Sequence, residues 1–257
     1  MEGQLRKTGG ISTPHFIYDA AVAYSDIGPD QRLSHGGLLR ILQEAASVAS
    51  DEVGFGLKDI ARTGVHWILT GWRLELARRP AWRTDLRVET WPRSVEGFAS
   101  DRYFLVYAGG ELIAQAASHW ILVSAATGRP VRITDAARAA YGPHLDSREL
   151  FEGKPIPHNG STPAGVSVAY ETTAGRRDID TNHHVNNLRY LDYAIEALPQ
   201  EVYENLPATV EIVFRRQILL GTPLRCLYTV TEDGRRQVEI RSGDEEKPVH
   251  HAFVWFY

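Results

Sequence analysis

RRDIDTNHHVNNLRYLDYAIEAL, Arg176 to Leu198, sets two aspartates, two histidines and three asparagines within the ten residues 178–187 and then turns into an apolar run. Leu188, Leu191, Ile195 and Leu198 recur at helical spacing. They predict a helix starting near Val185, with the polar cluster on its first turn. Before it lies a strand-like VSVAYETTA. After it come four extended runs, TVEIVFRRQIL, LRCLYTVTE, QVEIRS and VHHAFVWFY, the last three separated by the turns EDGR and SGDEEK. One strand, one helix and a meander of strands make one folding unit.

The same order occurs earlier in the chain. HFIYDAAVAYSDI reads as a strand, GGLLRILQEAASVAS as a helix, and VHWILTGWRLEL, DLRVETWPRS, ASDRYFLVYA and ELIAQAASHWILVSA as extended runs, with Gly109-Gly110 marking a hairpin between the last two. A constant offset places Asp26-Ile27 on Asp178-Ile179, Leu33-Ser34 on Val185-Asn186, Leu39 on Leu191 and Glu44 on Glu196. Such self-similarity points to duplication. The first helix is apolar or small nearly all round, which suits a helix enclosed by a curved sheet. The fold class expected is therefore α+β: a duplicated, or double, hot-dog, two curved antiparallel sheets each wrapped around a central helix.

Between the units, YGPHLDSRELFEGKPIPHNGSTPAG holds Pro143, Pro155, Pro157 and Pro163 with Gly142, Gly153, Gly160 and Gly165, and reads as a linker. The regular elements of the two units run Phe16–Ile133 and Val166–Tyr257. The expected division is residues 1–135 for the N-terminal unit, 136–165 for the linker and 166–257 for the C-terminal unit.

At 257 residues the chain can bury a sizeable core, and a formal charge of −4 with interspersed signs leaves no footprint of nucleic acid. The start, MEGQLRKTGGISTP, lacks the apolar core of a signal peptide, and no apolar run is long enough to span a bilayer. A single cysteine, Cys226, forms no intrachain disulfide, so a reducing cytoplasm is the default expectation. Cys226 lies in an apolar strand run and reads as a core residue. His183-His184 and His250-His251 lack metal-ligand spacing, and no G-x-S-x-G, G-x-G-x-x-G or P-loop pattern occurs, so neither metal nor cofactor is expected. The arginine pairs 176–177, 215–216 and 235–236 read first as solvated strand edges, with some basic surface expected near the site entrance.

A helix start offers free N–H groups and the positive end of the helix dipole, which favour developing negative charge on a polarised ester or thioester carbonyl. An aspartate acting as base or nucleophile, with an asparagine and a histidine beside it, supplies the rest of a hydrolytic site. The competing reading is that Asp178, Asp180 and Asn182 only cap and turn the chain. At the offset above, the first unit has Gly28, Asp30 and Arg32 where the second has Asp180, Asn182 and His184. That asymmetry favours one working site, in the C-terminal unit, with the N-terminal unit lining an acyl pocket.

DIDTNHHVNNLRYLDY resembles the D-x-D-x-N-x-H-V-N-N-x-x-Y signature of acyl-(acyl carrier protein) thioesterases, and the resemblance extends to DQRLSHGGLLRILQEAA and WILTGWRLEL in the first unit. It implies hydrolysis of a fatty acyl thioester by water, without cofactor, with Asp180, Asn182 and His184 catalytic. Val185, Asn186 and Asn187 complete the motif as substrate-binding candidates. The family places a catalytic glutamate after a paired-arginine stretch, which here reads FRRQIL and puts Gln217 at that position. Glutamine can orient water or a substrate amide but cannot act as a base, and Glu211 or Glu171 are the other carboxylates to consider.

The implied partner is an acyl carrier protein thioester, or acyl-coenzyme A as recognised by related hot-dog thioesterases, in a monomer or homodimer without stable membrane insertion. A non-catalytic acyl-binding protein of the same fold is the third reading. Trp67, Trp72, Trp82 and Trp120 are candidates to line an acyl tunnel or to fill core.

Overall fold

The computed structural model of the chain describes residues 4–6, 15–151, 160–163 and 165–257. The stretch 7–14 and, in the expected linker, Gly153, Pro155 and Pro157 lie outside the described residues. The chain divides into two compact units, Met1–Thr70 with Leu74–Pro155, and Gly71–Arg73 with Ile156–Tyr257.

In the first unit, strands β1 (Gln4–Arg6), β2 (Phe16–Ala21), β3 (Val65–Leu76), β4 (Asp85–Pro92), β5 (Ala99–Ala108) and β6 (Glu111–Ser124) take the order β1-β2-β4-β5-β6-β3. Helix α1 (His35–Glu52) runs against the β2 and β4 side, and a short α2 (Ile60–Thr63) leads into β3. Ser34 caps α1, its Oγ accepting the Gly37 N–H at 2.9 Å. Leu38, Leu39, Ile41, Leu42, Ala45, Ala46 and Ala49 are all buried, as the nearly all-round apolar pattern requires. Burial of each of the four larger side chains contributes about 1.5–3 kcal/mol. The β5–β6 hairpin turns at Gly109 and Gly110, both with positive φ, the conformation a two-residue turn demands.

The second unit repeats the plan with β7 (Val168–Thr173), α4 (Asn187–Glu196), α5 (Gln200–Glu204), β8 (Thr209–Phe214), β9 (Pro223–Val230), β10 (Arg236–Ser242) and β11 (Val249–Phe256), in the order β8-β11-β10-β9-β7. Its helix α4 packs toward β10 and β11, burying Tyr190, Leu191, Tyr193 and Ala194. The hairpins expected at EDGR and SGDEEK form, with Gly234 and Gly243 at positive φ. Each unit is a hot-dog: an antiparallel sheet packed on one main helix.

The stretch 136–165 holds more structure than its prolines and glycines announce. Helix α3 (Asp135–Tyr141) is capped by Thr134, whose Oγ1 accepts the Ala137 N–H at 3.1 Å. Ala137 and Tyr141 join Val95, Leu122 and Ile133 in one buried cluster, and Phe151 joins Trp91, Tyr103, Leu105 and Ala117 in another. Residues 135–151 therefore belong to the body of the first unit. The helix is too short to show periodicity in sequence, and its apolar contacts come from distant strands. On the far side of the stretch, Gln237 Nε2 donates to the Ser161 carbonyl at 2.8 Å, holding that residue to the second unit.

Two consequences are measurable. Helix α1 passes so close to the turn at Asp26 that a Cβ on Gly37 would stand 2.7 Å from the Asp26 Cα. Gly37→Ala should lower stability by about 1–3 kcal/mol in urea denaturation, and an unchanged midpoint would refute the close approach. Cys226 is buried on β9, opposite Ile240, and burial pushes its thiol up to about 12. Iodoacetamide at neutral pH should leave it unmodified over a time in which the denatured chain is fully labelled, as read by mass spectrometry. Equal labelling of native and denatured protein would contradict its core placement.

Candidate active site

The polar motif folds into a small closed hairpin ahead of α4. A 3-10 turn, Arg176–Asp178, leads in, and the buried Asp178 takes the Gly175 N–H on Oδ2 at 2.8 Å. The chain then doubles back, so that Ile179 bridges Val185 and the Asp180 N–H donates to the His184 carbonyl at 2.8 Å. At the tip the His183 N–H donates to the Asp180 carbonyl at 3.1 Å, with His183 in the left-handed region at φ 62°. Asp180 Oδ1 accepts the Asn182 N–H at 2.8 Å and the His184 N–H at 3.5 Å. Asp180, Asn182 and His184 thus share one turn, with Asn182 exposed and the other two half-buried.

This geometry corrects the expected helix start. Helix α4 begins at Asn187, and Asn186 is its cap, with Oδ1 accepting the Leu188 N–H at 3.0 Å. Asp180, Asn182 and His184 precede the helix instead of occupying its first turn. A residue at positive φ cannot continue a right-handed helix, and Asn186 offers the backbone a better start than Val185 can. Val185 is buried and gives its N–H to the Ile218 carbonyl at 2.9 Å, while Asn187, the first helical residue, is half-buried.

The first unit builds the same loop with different side chains. Ile27 bridges Leu33, the Gly28 N–H donates to the Arg32 carbonyl at 2.9 Å, the Gln31 N–H to the Gly28 carbonyl at 2.9 Å, and Gln31 has φ 60°. Asp26 takes the Ala23 N–H on Oδ2 at 2.9 Å, as Asp178 takes that of Gly175. The Ser34 N–H reaches the Asp26 carbonyl at 2.9 Å, as the Asn186 N–H reaches that of Asp178 at 2.7 Å. Every one of these bonds recurs at the sequence offset that aligned the two halves. Since Gly28 stands where Asp180 does, the loop closes without a carboxylate at that position. Capping and turning explain Asp178 and Asn186, but they do not require the trio Asp180, Asn182 and His184.

Gln217 arrives from the segment after β8. The Arg215 and Arg216 N–H groups donate to the His251 carbonyl at 2.8 and 3.2 Å, and His251 Nδ1–H donates to the Arg216 carbonyl at 3.0 Å. Burial lowers the His251 pKa and holds the ring neutral, so Nε2 accepts from the Ser242 hydroxyl at 2.8 Å. Tyr190, its phenol pushed up by burial with the Asp180 charge adding to it, donates to the Arg216 carbonyl at 3.5 Å. These bonds and the Val185–Ile218 bond bring the backbone beside Gln217 to the motif loop. The Gln217 side chain is exposed and, among the described residues, makes no hydrogen bond to Asp180, Asn182 or His184.

The parts played by His251 and Ser242 leave no signal in the sequence, because the His251 ring bonds the backbone carbonyl of a distant segment and Ser242 acts only on that ring. Among the described residues no group of three or more His, Cys, Asp and Glu side chains is placed to hold a metal ion.

The other carboxylates stand elsewhere. Glu211 is buried and accepts the Tyr257 hydroxyl at 2.8 Å, with Arg73 and Arg235 each at 3.7 Å. Glu171 is exposed on β7 and borders an open groove of about 710 Å³ with Thr173, Pro223, Arg225 and Asp244. Around the motif, Arg176, Arg177, Arg189, Arg215 and Arg216 are all exposed. The loop therefore presents a proton acceptor, a carboxamide and an imidazole together, on a basic surface.

The sequence matches the acyl-ACP (acyl carrier protein) thioesterase N-terminal domain over residues 15–141 and the acyl-ACP thioesterase C-terminal domain over residues 164–255. It is 27% identical over 224 residues to dodecanoyl-[acyl-carrier-protein] hydrolase, chloroplastic, of Cinnamomum camphora, covering 82% of this chain and 58% of that protein. It is 29% identical over 218 residues to oleoyl-acyl carrier protein thioesterase 2, chloroplastic, of Arabidopsis thaliana, covering 79% of this chain and 58% of that protein. The chain spans about half the length of the curated relatives it matches. In structure it is similar to the 12:0-ACP thioesterase from Umbellularia californica, with a TM-score of 0.81 and 22% identity over 96% of this chain and 98% of that one. An acyl-ACP thioesterase from Bacteroides thetaiotaomicron gives a TM-score of 0.77 and 23% identity over 95% of this chain and 98% of that one. These two likenesses carry the double hot-dog fold, and the two domain matches, taken together, place the chain in the acyl-ACP thioesterase family.

Proposed function

We propose that this chain hydrolyses fatty acyl thioesters, with acyl carrier protein as the thiol carrier. The observation that carries the proposal is the pair of matching loops: one backbone built twice, with the hydrolytic side chains on only one copy. In this reading Asp180 takes a proton from water, or attacks the carbonyl itself. Water supplies the hydroxyl of the released acid, the carbon–sulfur bond breaks, and the proton passes to the departing thiolate. Asn182 orients the carboxylate, the water or the carbonyl; His184 hydrogen-bonds to the attacking or leaving group; Gln217 orients by its amide. Val185, Asn186 and Asn187 border the thioester. The first unit, lacking these side chains, serves acyl binding, and no cofactor takes part.

The exposed arginines around the loop support an acidic carrier protein as partner, since a broad basic surface steers such a protein toward the site. Relatives are named as acting on acyl carrier protein esters of different chains, dodecanoyl and oleoyl. A lone buried cysteine that forms no intrachain disulfide is compatible with a reducing cytoplasm, where this reading places the chain as monomer or homodimer. No helix among the described residues is long and apolar enough to cross a membrane. One observation favours a non-catalytic acyl-binding role instead: Gln217 places no proton acceptor where the family stretch carries one.

Free-thiol release from matched acyl carrier protein and coenzyme A thioesters tests the proposal. The carrier-protein esters should turn over with the higher kcat/KM, and added salt should reduce that advantage. Faster turnover of the coenzyme A esters would move the assignment to that carrier, and no release from either would leave the binding role. Asp180→Asn should lower kcat by at least about a hundredfold while stability stays within about 0.5 kcal/mol of the parent, since an amide oxygen still accepts the Asn182 N–H. Wild-type turnover in the folded variant would remove Asp180 from the mechanism.

A further inference from the structure

Arg102 lies on β5 of the first unit with only 4% of its surface exposed. Antiparallel register sets it opposite Pro92 of β4 and Ser118 of β6, on the face that also carries Thr90, Phe104 and Ala116. That face includes Val88 and Val106, both fully buried. A guanidinium carries five N–H donors. Among the described residues a single hydrogen bond is made, from Nη1 to Thr90 Oγ1 at 3.2 Å. The Phe16 ring lies 5.8 Å from Cζ.

Around it the neighbouring polar groups are already engaged. Ser118 Oγ accepts the Trp120 Nε1–H at 2.7 Å, and Tyr141 accepts from Trp67 and donates to Ser50. Among the described residues no carboxylate pairs with Arg102, whereas more exposed arginines of the same unit do have such partners: Arg40 with Asp26, Arg79 with Asp30, and Arg93 with Glu149 and Asp101.

Burial pulls Arg102 down to about 10, still charged at neutral pH. A buried charge without a counter-ion is costly to a fold, and an apolar residue of like size is often more stable in its place. The arrangement is explained if the missing acceptor arrives with a ligand.

We infer that the interior of the first unit binds an aliphatic chain bearing a carboxylate, with Arg102 as its counter-ion. That the ligand is an acyl chain rests on the thioesterase reading; the need for an anionic acceptor rests on Arg102 alone. The carboxylate has two possible sources: the far end of an acyl chain derived from a dicarboxylic acid, or the acid group that hydrolysis releases.

Isothermal titration of the full chain with methyl dodecanoate and monomethyl dodecanedioate, which differ by one terminal carboxylate, tests the inference without relying on turnover. The carboxylate-bearing probe should bind roughly tenfold to a hundredfold tighter, the range for a charged hydrogen bond. Arg102→Met should abolish the difference, and Arg102→Lys should keep part of it. Equal affinity in the parent protein, or no binding of either probe, overturns the inference, and because this comparison needs no variant it holds even where a substitution does not fold. Dodecanoate inhibiting in an Arg102-dependent way assigns the carboxylate to the released acid. A KM lower for dodecanedioyl than for dodecanoyl thioesters, and levelled by Arg102→Met, assigns it to the distal end. Thioester hydrolysis in the same preparation reports separately on the enzymatic reading, so that either can fail without the other.

Discussion

A buried aspartate at the end of a short turn is what the rest of the molecule depends on. Asp26 and Asp178, at 0% and 5% exposure, each satisfy a backbone N–H of the incoming turn with a carboxylate oxygen and receive, on the backbone carbonyl, the N–H of the residue that caps the next helix. Strand, turn and helix are thereby locked at one angle, and the helix meets its sheet with its apolar face inward. Arg40 holds the first of these carboxylates through two bonds of 2.6 Å; Arg177 and Arg189, at 3.7 and 3.9 Å, attend the second. Partnered in this way, a buried carboxylate is tolerated where an isolated one would not be.

The chemistry of the motif is separable from that support. Asp178 and Asn186 bracket the hairpin and are matched in the other unit by Asp26 and Ser34, residues able to make the same bonds. Asp180, Asn182 and His184 lie between them, on a turn whose backbone hydrogen bonds are matched one for one by Gly28, Asp30 and Arg32. The residues that frame the loop stand at its two ends, and the trio occupies the turn between them. A second layer holds Gln217: a neutral His251, a serine hydroxyl and a buried tyrosine all act on the carbonyl of the neighbouring Arg216 or on the ring that reaches it.

Much of this was legible in the sequence because it rests on local rules. The glycine pair at 109–110, the apolar run of α1 and the offset from Asp26 to Asp178 follow from turn chemistry, burial and duplication, and they were enough for a double hot-dog. The start of α4 was misplaced by two residues because the apolar period includes Val185, whereas Asn186 and the positive φ of His183 fix where a helix can begin. Helix α3 was hidden in a proline- and glycine-rich stretch, since its stabilising partners, Val95 and Leu122, lie on other elements. The roles of His251 and Arg102 were invisible for a related reason: they depend on what lies across a strand register, which no linear pattern records.

The hairpin keeps its backbone hydrogen bonds with glycine, aspartate and arginine as well as with aspartate, asparagine and histidine, so its closure is compatible with either set of side chains. A duplicated chain with this property can carry different side chains on its two copies, and neither copy loses its frame. Division of labour between the halves then needs no new fold, only a change of side chains on a turn that was already stable.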